Sequence, residues 1–379
     1  MGLDKSENVR WWDMSAINRP VRTVRLRDFA EWYPTVGFAA ADCLLVVQPA
    51  SGESDDKRIR LWFVMPDDKA VKPILLSAAM RLRAAFDHDG RWLATDSEED
   101  GVVQLWKLNV DNRTAELIVL KGRKKSIEAL AFSGDAHWLA ACGSEIRLWD
   151  LSRSNPGARP IVLDTGGWHA TKLAFSADGS WLAVPSGGLE GTTSLWPLRS
   201  IRKARDPILL HGHDNLIATL QFGADCRWLA TASYDRTVRL WDLGGTDPAA
   251  DSIILRGHES GVVHLAFSPD GRWLATQDEA GSTVLLWDLA AGQPLPEPQL
   301  LRLGEYHLNR DWVTFSPDGR WLAAISSRGI QLWHMRCDEL LESARQVAGR
   351  NLSADEWQQY FPDKPNRATF PDLSVSADQ

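Results

Sequence analysis

Read for apolar and polar positions, the chain is a succession of short β-type runs set apart by turn residues. Residues 252–289 show the unit. An apolar run at 252–255 ends near Gly257 and His258, and an alternating run from Val262 to Phe267 stops at Ser268, Pro269, Asp270 and Gly271. Pro and Gly stand there where a chain reversal wants them. Residues 273–276 and 283–289 form a third and a fourth run. Such a four-stranded sheet is apolar on both faces. It cannot bury both alone, so it must stack on copies of itself.

Aligned on tryptophan, the copies are visible. A run ending in Leu-Trp recurs at Trp62, Trp106, Trp149, Trp196, Trp241, Trp287 and Trp333, at intervals of 44, 43, 47, 45, 46 and 46 residues. An FxxDG-type run precedes it, at Phe86, Phe132, Phe175, Phe222, Phe267 and Phe315, with residues 38–47 as a degraded copy. An apolar connecting run occurs seven times, at 21–27, 73–76, 116–120, 160–163, 207–210, 252–255 and 299–303. The first of these precedes the first repeat, and none follows Trp333. Radial stacking closes such an array and leaves only short edges. The pattern therefore predicts that residues 21–27 complete the last sheet beside 329–335, sealing the ring and covering an edge that would otherwise template aggregation.

A period of about 40–45 residues with a terminal Trp-Asp resembles the WD-repeat family, over roughly residues 20 to 335. The resemblance implies an all-β, seven-bladed β-propeller of four-stranded antiparallel blades, closed by an N-terminal strand. It also implies a hydrogen-bonded chain inside each blade, from a His, a Ser or Thr, an Asp and the Trp. One blade carries all four as His213, Ser233, Asp235 and Trp241, and the next matches partly through His258 and Trp287. Elsewhere the chain is broken: Arg123 stands where His is expected, and 142–144 lacks the Asp. The extra Trp opening the third strand (Trp92, Trp138, Trp181, Trp228, Trp273, Trp321) is expected to compensate by packing, as in bacterial copies of the repeat.

Both ends depart from the repeat. Residues 1–19 contain NVRWWDM, a leftover Trp-Asp strand, which leads us to expect that the chain is the C-terminal part of a longer protein; an N-terminal extension packed on the ring is the alternative. The propeller is assigned to 20–336. Residues 337–379 read as a helical tail: Leu340, Leu341, Ala344, Val347 and Ala348 have helical spacing, ended by Gly349. Ser353 and Glu356 form a capping box ahead of Trp357, Tyr360 and Phe361. Residues 349–373 resemble the terminal element of propellers in large bacterial signalling proteins. In those, a nucleotide-binding module of the STAND type, a kinase or a caspase-like effector lies upstream.

Composition narrows the function classes. The chain has 42 Lys+Arg against 50 Asp+Glu, a formal net charge of −8, which argues against wholesale coating of nucleic acid. Trp is the outlier, at 19 against 4 Tyr. No apolar signal segment opens the sequence and no run is long enough to span a bilayer. The cysteines Cys43, Cys142, Cys226 and Cys337 form no CxxC pair and read as reduced, buried thiols. A cytoplasmic protein is expected.

No catalytic spacing stands out: GxxxxGK[ST], GxSxG, HExxH and GxGxxG are absent. His211 and His213 form an HxH pair, but the blade pattern already accounts for His213. No cofactor or metal is expected. Basic clusters at 121–125 and 199–205 fall in loops. Trp32, Trp168 and Trp312 lie at loops leading into the FxxDG-type strands, on one face of the ring, and with Arg123, Asp214 and Glu259 they form the candidate partner-binding face. The expected function is non-catalytic recognition of a protein partner, which includes an upstream effector domain of the same polypeptide. A propeller hydrolase with channel-lining carboxylates and a purely structural scaffold are the alternatives.

Overall fold

The computed structural model describes residues 2–3, 8–12, 20–26, 35–38, 44–48, 58–65, 70–78, 83–97, 101–121, 126–153, 160–165, 167, 169–188, 191–202, 206–245, 247–250, 252–281, 283–289, 298–303, 313–326 and 329–335. The helical tail expected at 337–379 lies outside them. Apart from a single 3-10 turn at Leu198–Ser200, the described elements are strands.

Each blade runs outward from the centre as an antiparallel meander. Blade 1 comprises Thr35–Phe38, Leu44–Gln48, Arg58–Val64 and Ile74–Ala78; blade 2, Ala84–Phe86, Trp92–Asp96, Val103–Asn109 and Thr114–Leu120. Blade 3 is Ile127–Phe132, Trp138–Gly143, Ile146–Asp150 and Ile161–Leu163; blade 4, Ala174–Phe175, Trp181–Pro185, Thr193–Pro197 and Ile208–Leu210. Blade 5 is Ile217–Phe222, Trp228–Ser233, Thr237–Asp242 and Ser252–Arg256; blade 6, Val262–Phe267, Trp273–Asp278, Thr283–Asp288 and Gln299–Arg302. Blade 7 has three described strands, Val313–Phe315, Trp321–Ser326 and Gly329–His334. The fold is a seven-bladed β-propeller, and the innermost strands of successive blades stand side by side around its axis.

The ring closure differs from the sequence expectation. Residues 21–27 do not complete blade 7. The strand Pro20–Leu26 pairs antiparallel with Asn8–Trp12 on one edge and parallel with Ala70–Val71 on the other. The first edge is paired along the strand, and the second at Arg25 and Leu26. Among the described residues, Gly329–His334 pairs with Trp321–Ser326. The physical reason is separation along the chain: Asn8–Trp12 is a close neighbour in sequence, whereas Gly329–His334 is at the far end, and closing the larger separation costs more entropy. The Trp-Asp strand at Asn8–Trp12 is thus the partner of the strand expected to seal the ring.

The core lies between blades. Trp228, Leu240 and Leu255 of blade 5 meet Phe267, Leu274 and Trp287 of blade 6. The seams between blades 1 and 2, 2 and 3, 3 and 4, 4 and 5, and 6 and 7 repeat the arrangement. The third-strand Trp faces the preceding blade, and the Trp opening the second strand faces the following one. Trp62, Trp149, Trp196, Trp241 and Trp287 are fully buried. An indole of this size removes about 150–250 Å² from water, roughly 4–6 kcal/mol at ~25 cal/mol per Å².

The turns between first and second strands share one device. Ser133, Ser176, Ser268 and Ser316 each donate to the carboxylate two residues on, at 2.5–2.6 Å. Each also accepts the N–H of the Trp that opens the next strand, at 2.8–3.0 Å. The fourth turn residue is left-handed: Gly179, Gly271 and Gly319 have φ of 66°, 70° and 68°. Ala136 and Cys226 hold the same position at φ 55° and 58°.

Candidate functional site

The opposite rim is built by the loops that lead into the first strands and by the turns between second and third strands. In blade 5 the loop at 211–216 carries His213. Gly212 before it sits at φ 149°, and a Cβ there would come within 2.6 Å of the Arg239 guanidinium, which donates to the Gly212 carbonyl oxygen at 2.6 Å. The backbone at this point accepts glycine alone, and it turns the His213 ring into the blade.

The His213 side chain is fully buried. Its Nδ1 lies 2.7 Å from Asp235 Oδ2 and its Nε2 2.9 Å from Thr231 Oγ1. The Trp241 indole N–H donates to the same Thr231 oxygen at 3.0 Å. Asp235 also accepts from the Thr237 N–H and hydroxyl, at 2.8 and 2.6 Å, and from the Asp214 N–H at 3.0 Å. Burial holds the His213 pKa below its ordinary value against the pull of Asp235. Burial would raise the Asp235 carboxyl, but hydrogen bonds from Thr237 and the neighbouring His213 outweigh it and hold that carboxyl low.

This corrects the role of Ser233. The hydroxyl that joins His213 to Trp241 belongs to Thr231; Ser233 Oγ instead donates to the Asn215 carbonyl at 3.1 Å and accepts the Asp235 N–H at 3.1 Å. Side chains alternate along a strand, so Ser233 shares a face with Thr231 but sits two positions nearer the rim. There it pins the loop rather than the tryptophan. The likeness of His213, Ser233 and Asp235 to a catalytic triad ends here, because neither hydroxyl reaches solvent.

Blade 6 holds the His–Thr–Trp part of the chain, in keeping with the partial match expected from its sequence. His258 Nε2 is 2.7 Å from Thr276 Oγ1, which also accepts the Trp287 indole N–H at 3.1 Å. His258 Nδ1 lies 3.5 Å from Asp278. The longer turn after Asp278 hides the match in sequence while the strand register preserves it. Among its described residues blade 2 keeps the Thr95–Trp106 bond, at 3.1 Å. In blade 3 Ala141 stands at the threonine position, and the buried Trp149 indole N–H has no partner among the described residues. In sequence the bridging residue is the Thr of the WLAT stretches at 92–95, 228–231 and 273–276, which residue type alone does not separate from a nearby Ser such as Ser233.

On top of these two blades Asp214 and Glu259 are exposed, and Tyr234 is 39% exposed. Tyr234 lies against the neighbouring blade: a Cβ on Gly261 would come within 2.6 Å of its ring. The structure thus places Asp214 and Glu259, with a tyrosine that sequence reasoning missed, on adjoining loops. The other candidates, Trp32, Arg123, Trp168 and Trp312, lie outside the described residues. His211 and His213 take different partners, His211 Nδ1 lying 3.1 Å from Thr192 Oγ1. Among the described residues of the innermost strands the one carboxylate is Glu128, and it is paired with Arg83 at 3.0 Å.

Three segments match the family model for the WD domain, G-beta repeat, at residues 115–150, 207–242 and 251–288. They end on the Trp-Asp pairs of blades 3, 5 and 6. No curated protein matches the chain. The fold is thus a β-propeller in which three segments carry the WD repeat. Repeats of this kind mark a protein-interaction or scaffold module, and domains built from them are generally non-catalytic.

Proposed function

We propose that this protein is a non-catalytic recognition module that binds a protein partner on the loop face of blades 5 and 6. The observation that carries the reading is the joining of two buried His–Thr–Trp chains to one exposed surface. Asp235 holds both the His213 ring and the Asp214 backbone, so the loop that presents Asp214 is fixed before a partner arrives. A preformed surface saves the ordering cost of association. Tyr234 offers a rigid aromatic anchor, and the flanking Asp214 and Glu259 select a partner with basic groups.

In this reading the propeller is the sensor end of a larger bacterial signalling or defence protein acting in the cytoplasm. Partner contact changes how the ring packs on an upstream effector and so biases the effector's state. The test joins the propeller to the reading frame that precedes it and measures effector output together with partner capture. Asp214→Lys, Glu259→Lys and Tyr234→Ala, alone and together, should weaken capture without lowering the melting temperature. Capture unchanged in the triple variant would refute the assignment of this face.

A further inference from the structure

In blades 3, 4, 6 and 7 the turn between first and second strands is closed by a serine that accepts and donates at once. Ser133, Ser176, Ser268 and Ser316 take the N–H of the following Trp and give their proton to the aspartate two residues on. Blade 2 has Asp87 in the serine position and Asp89 in the aspartate position. Its backbone is the same turn. The Asp87 N–H donates to the Trp92 carbonyl oxygen at 3.1 Å, the Gly90 N–H donates to the Asp87 carbonyl oxygen at 3.2 Å, and Gly90 is left-handed at φ 64°. The corresponding contacts of blade 4 are 3.1 and 3.0 Å, with Gly179 at φ 66°.

A carboxyl divides between two oxygens what the hydroxyl does with one. Asp87 Oδ1 accepts the Trp92 N–H at 2.7 Å. Oδ2 is buried with no hydrogen-bond partner among the described residues, and the side chain is wholly withdrawn from solvent. Where the serine turns have a donor 2.5–2.6 Å from the aspartate, an ionised Asp87 has no proton to give and adds a second negative charge. Arg91 serves one carboxylate better than the other. Its Nη2 lies 2.6 Å from Asp89 Oδ2, but its Nε is 3.9 Å from Asp87 Oδ2, too long for a hydrogen bond. Of the other titratable groups around this turn, His88 is exposed, and Asp135 and His137 of the blade 3 turn pair with each other at 3.1 Å. Asp42, in the corresponding turn of blade 1, lies outside the described residues.

Burial raises the Asp87 carboxyl above its ordinary value of 3.8; the Trp92 and Arg91 N–H groups and the Arg91 charge pull the other way, and the Asp89 charge adds to the rise. The folded value thus lies above the unfolded one. The stability that Asp87 contributes is fully present below 3.8 and is lost as pH rises through the folded value. That is the reverse of Asp235, whose folded value is lowered.

We propose that Asp87 and Asp89 form an acid-closed latch on the turn rim of blade 2, in which a proton on Asp87 Oδ2 is shared with the Asp89 carboxylate. Protonated, Asp87 does what serine does in the other turns: Oδ1 keeps the Trp92 N–H and Oδ2 donates to Asp89, a charge-assisted bond. Ionised, the two carboxylates repel, and Arg91 holds Asp89 alone. Acid therefore tightens this turn while it loosens the buried His213 network on the opposite rim, so one signal acts on the two rims with opposite sign. The latch is separate from the loop face, and neither assignment depends on the other.

The probe is the proton itself, titrated into the whole chain. The Asp87 ¹³Cγ resonance and the Trp92 amide that bonds to Asp87 should titrate together, with a midpoint above 3.8. Asp89→Asn removes the like charge and should lower that midpoint; Arg91→Ala removes the opposing one and should raise it. A role in packing alone would produce neither shift. Asp87→Asn keeps the acceptor and adds a permanent donor, and Asp87→Ser restores the turn of the other blades. Both should melt above the wild type at neutral pH, and the gain should shrink as pH falls towards 3.8. Asp87→Ala, which can neither accept nor donate, should melt below both throughout. Circular dichroism and a single cooperative melt establish that each variant is folded. A wild-type midpoint at or below 3.8 overturns the proposal. So does a midpoint that neither Asp89→Asn nor Arg91→Ala moves, or neutral-pH melting of Asp87→Asn and Asp87→Ser at or below the wild type.

Discussion

A handful of side chains decide how well each blade is made, and the repeat supplies its own controls. Ala136 and Cys226 stand in the left-handed region where the other turns use glycine. That conformation costs a side chain roughly 1–2 kcal/mol. Ala136→Gly and Cys226→Gly should therefore raise unfolding stability by about 1 kcal/mol each in urea titrations, net of the entropy that glycine adds to the unfolded chain. Thr231→Val keeps shape but leaves His213 Nε2 and the Trp241 N–H without their shared oxygen. It should cost about 1–3 kcal/mol, and Thr231→Ser less. The reverse change, Ala141→Thr, offers Trp149 the acceptor it lacks and should stabilise by about 1 kcal/mol. Ala141 faces Arg147 as Thr231 faces Arg239, so blade 5 shows that this register accommodates a threonine beside an arginine. The residue types at these positions are plain in the sequence. Which hydroxyl points at the indole is not, because Thr231 and Ser233 share a strand face and only depth within the blade separates them.

Blades differ in how firmly their strands are tied. Blades 5 and 6 have complete His–Thr–Trp chains, blade 2 has the Thr–Trp bond, and blade 3 has an orphaned indole. Amide exchange should rank accordingly, with the second and third strands of blades 5 and 6 most protected and those of blade 3 less so. Equal protection across these blades would show that packing alone sets their rigidity. Seam packing is common to all of them: Trp196→Ala or Trp287→Ala removes a buried indole between two blades and should cost about 3–5 kcal/mol. Four-strand units, their turns and their tryptophans were legible because each strand repeats a local pattern. The blade 6 network was not, since a lengthened turn breaks the spacing while strand pairing keeps Thr276 beneath Trp287.

At the scale of the whole ring, His213, Asp235 and Asp278 share a direction. The His213 pKa is depressed by burial, so the unfolded chain binds the proton more readily and stability falls as pH drops through the ordinary histidine value of 6.5. Asp235 and Asp278 are held below the ordinary 3.8, so their contribution is present above that value and is lost as pH falls through the depressed ones. The melting temperature should be highest near neutrality, decline below about pH 6.5 and drop more steeply below about pH 4. His213→Gln should flatten the first decline while leaving the second in place. Ring closure belongs to this scale too, and here local reading failed. Counting connecting runs predicts a strand at 21–27 for the last blade, yet Pro20–Leu26 pairs with Asn8–Trp12 and, at Arg25 and Leu26, with Ala70–Val71. The sequence by itself determined the blade, its repeat and the burial of the indoles, because alternation, turn chemistry and side-chain volume act within a few residues. Tertiary structure alone decided which strand the N-terminal segment joins and which hydroxyl completes each network. Those depend on competing pairings and on positions brought together from distant parts of the chain.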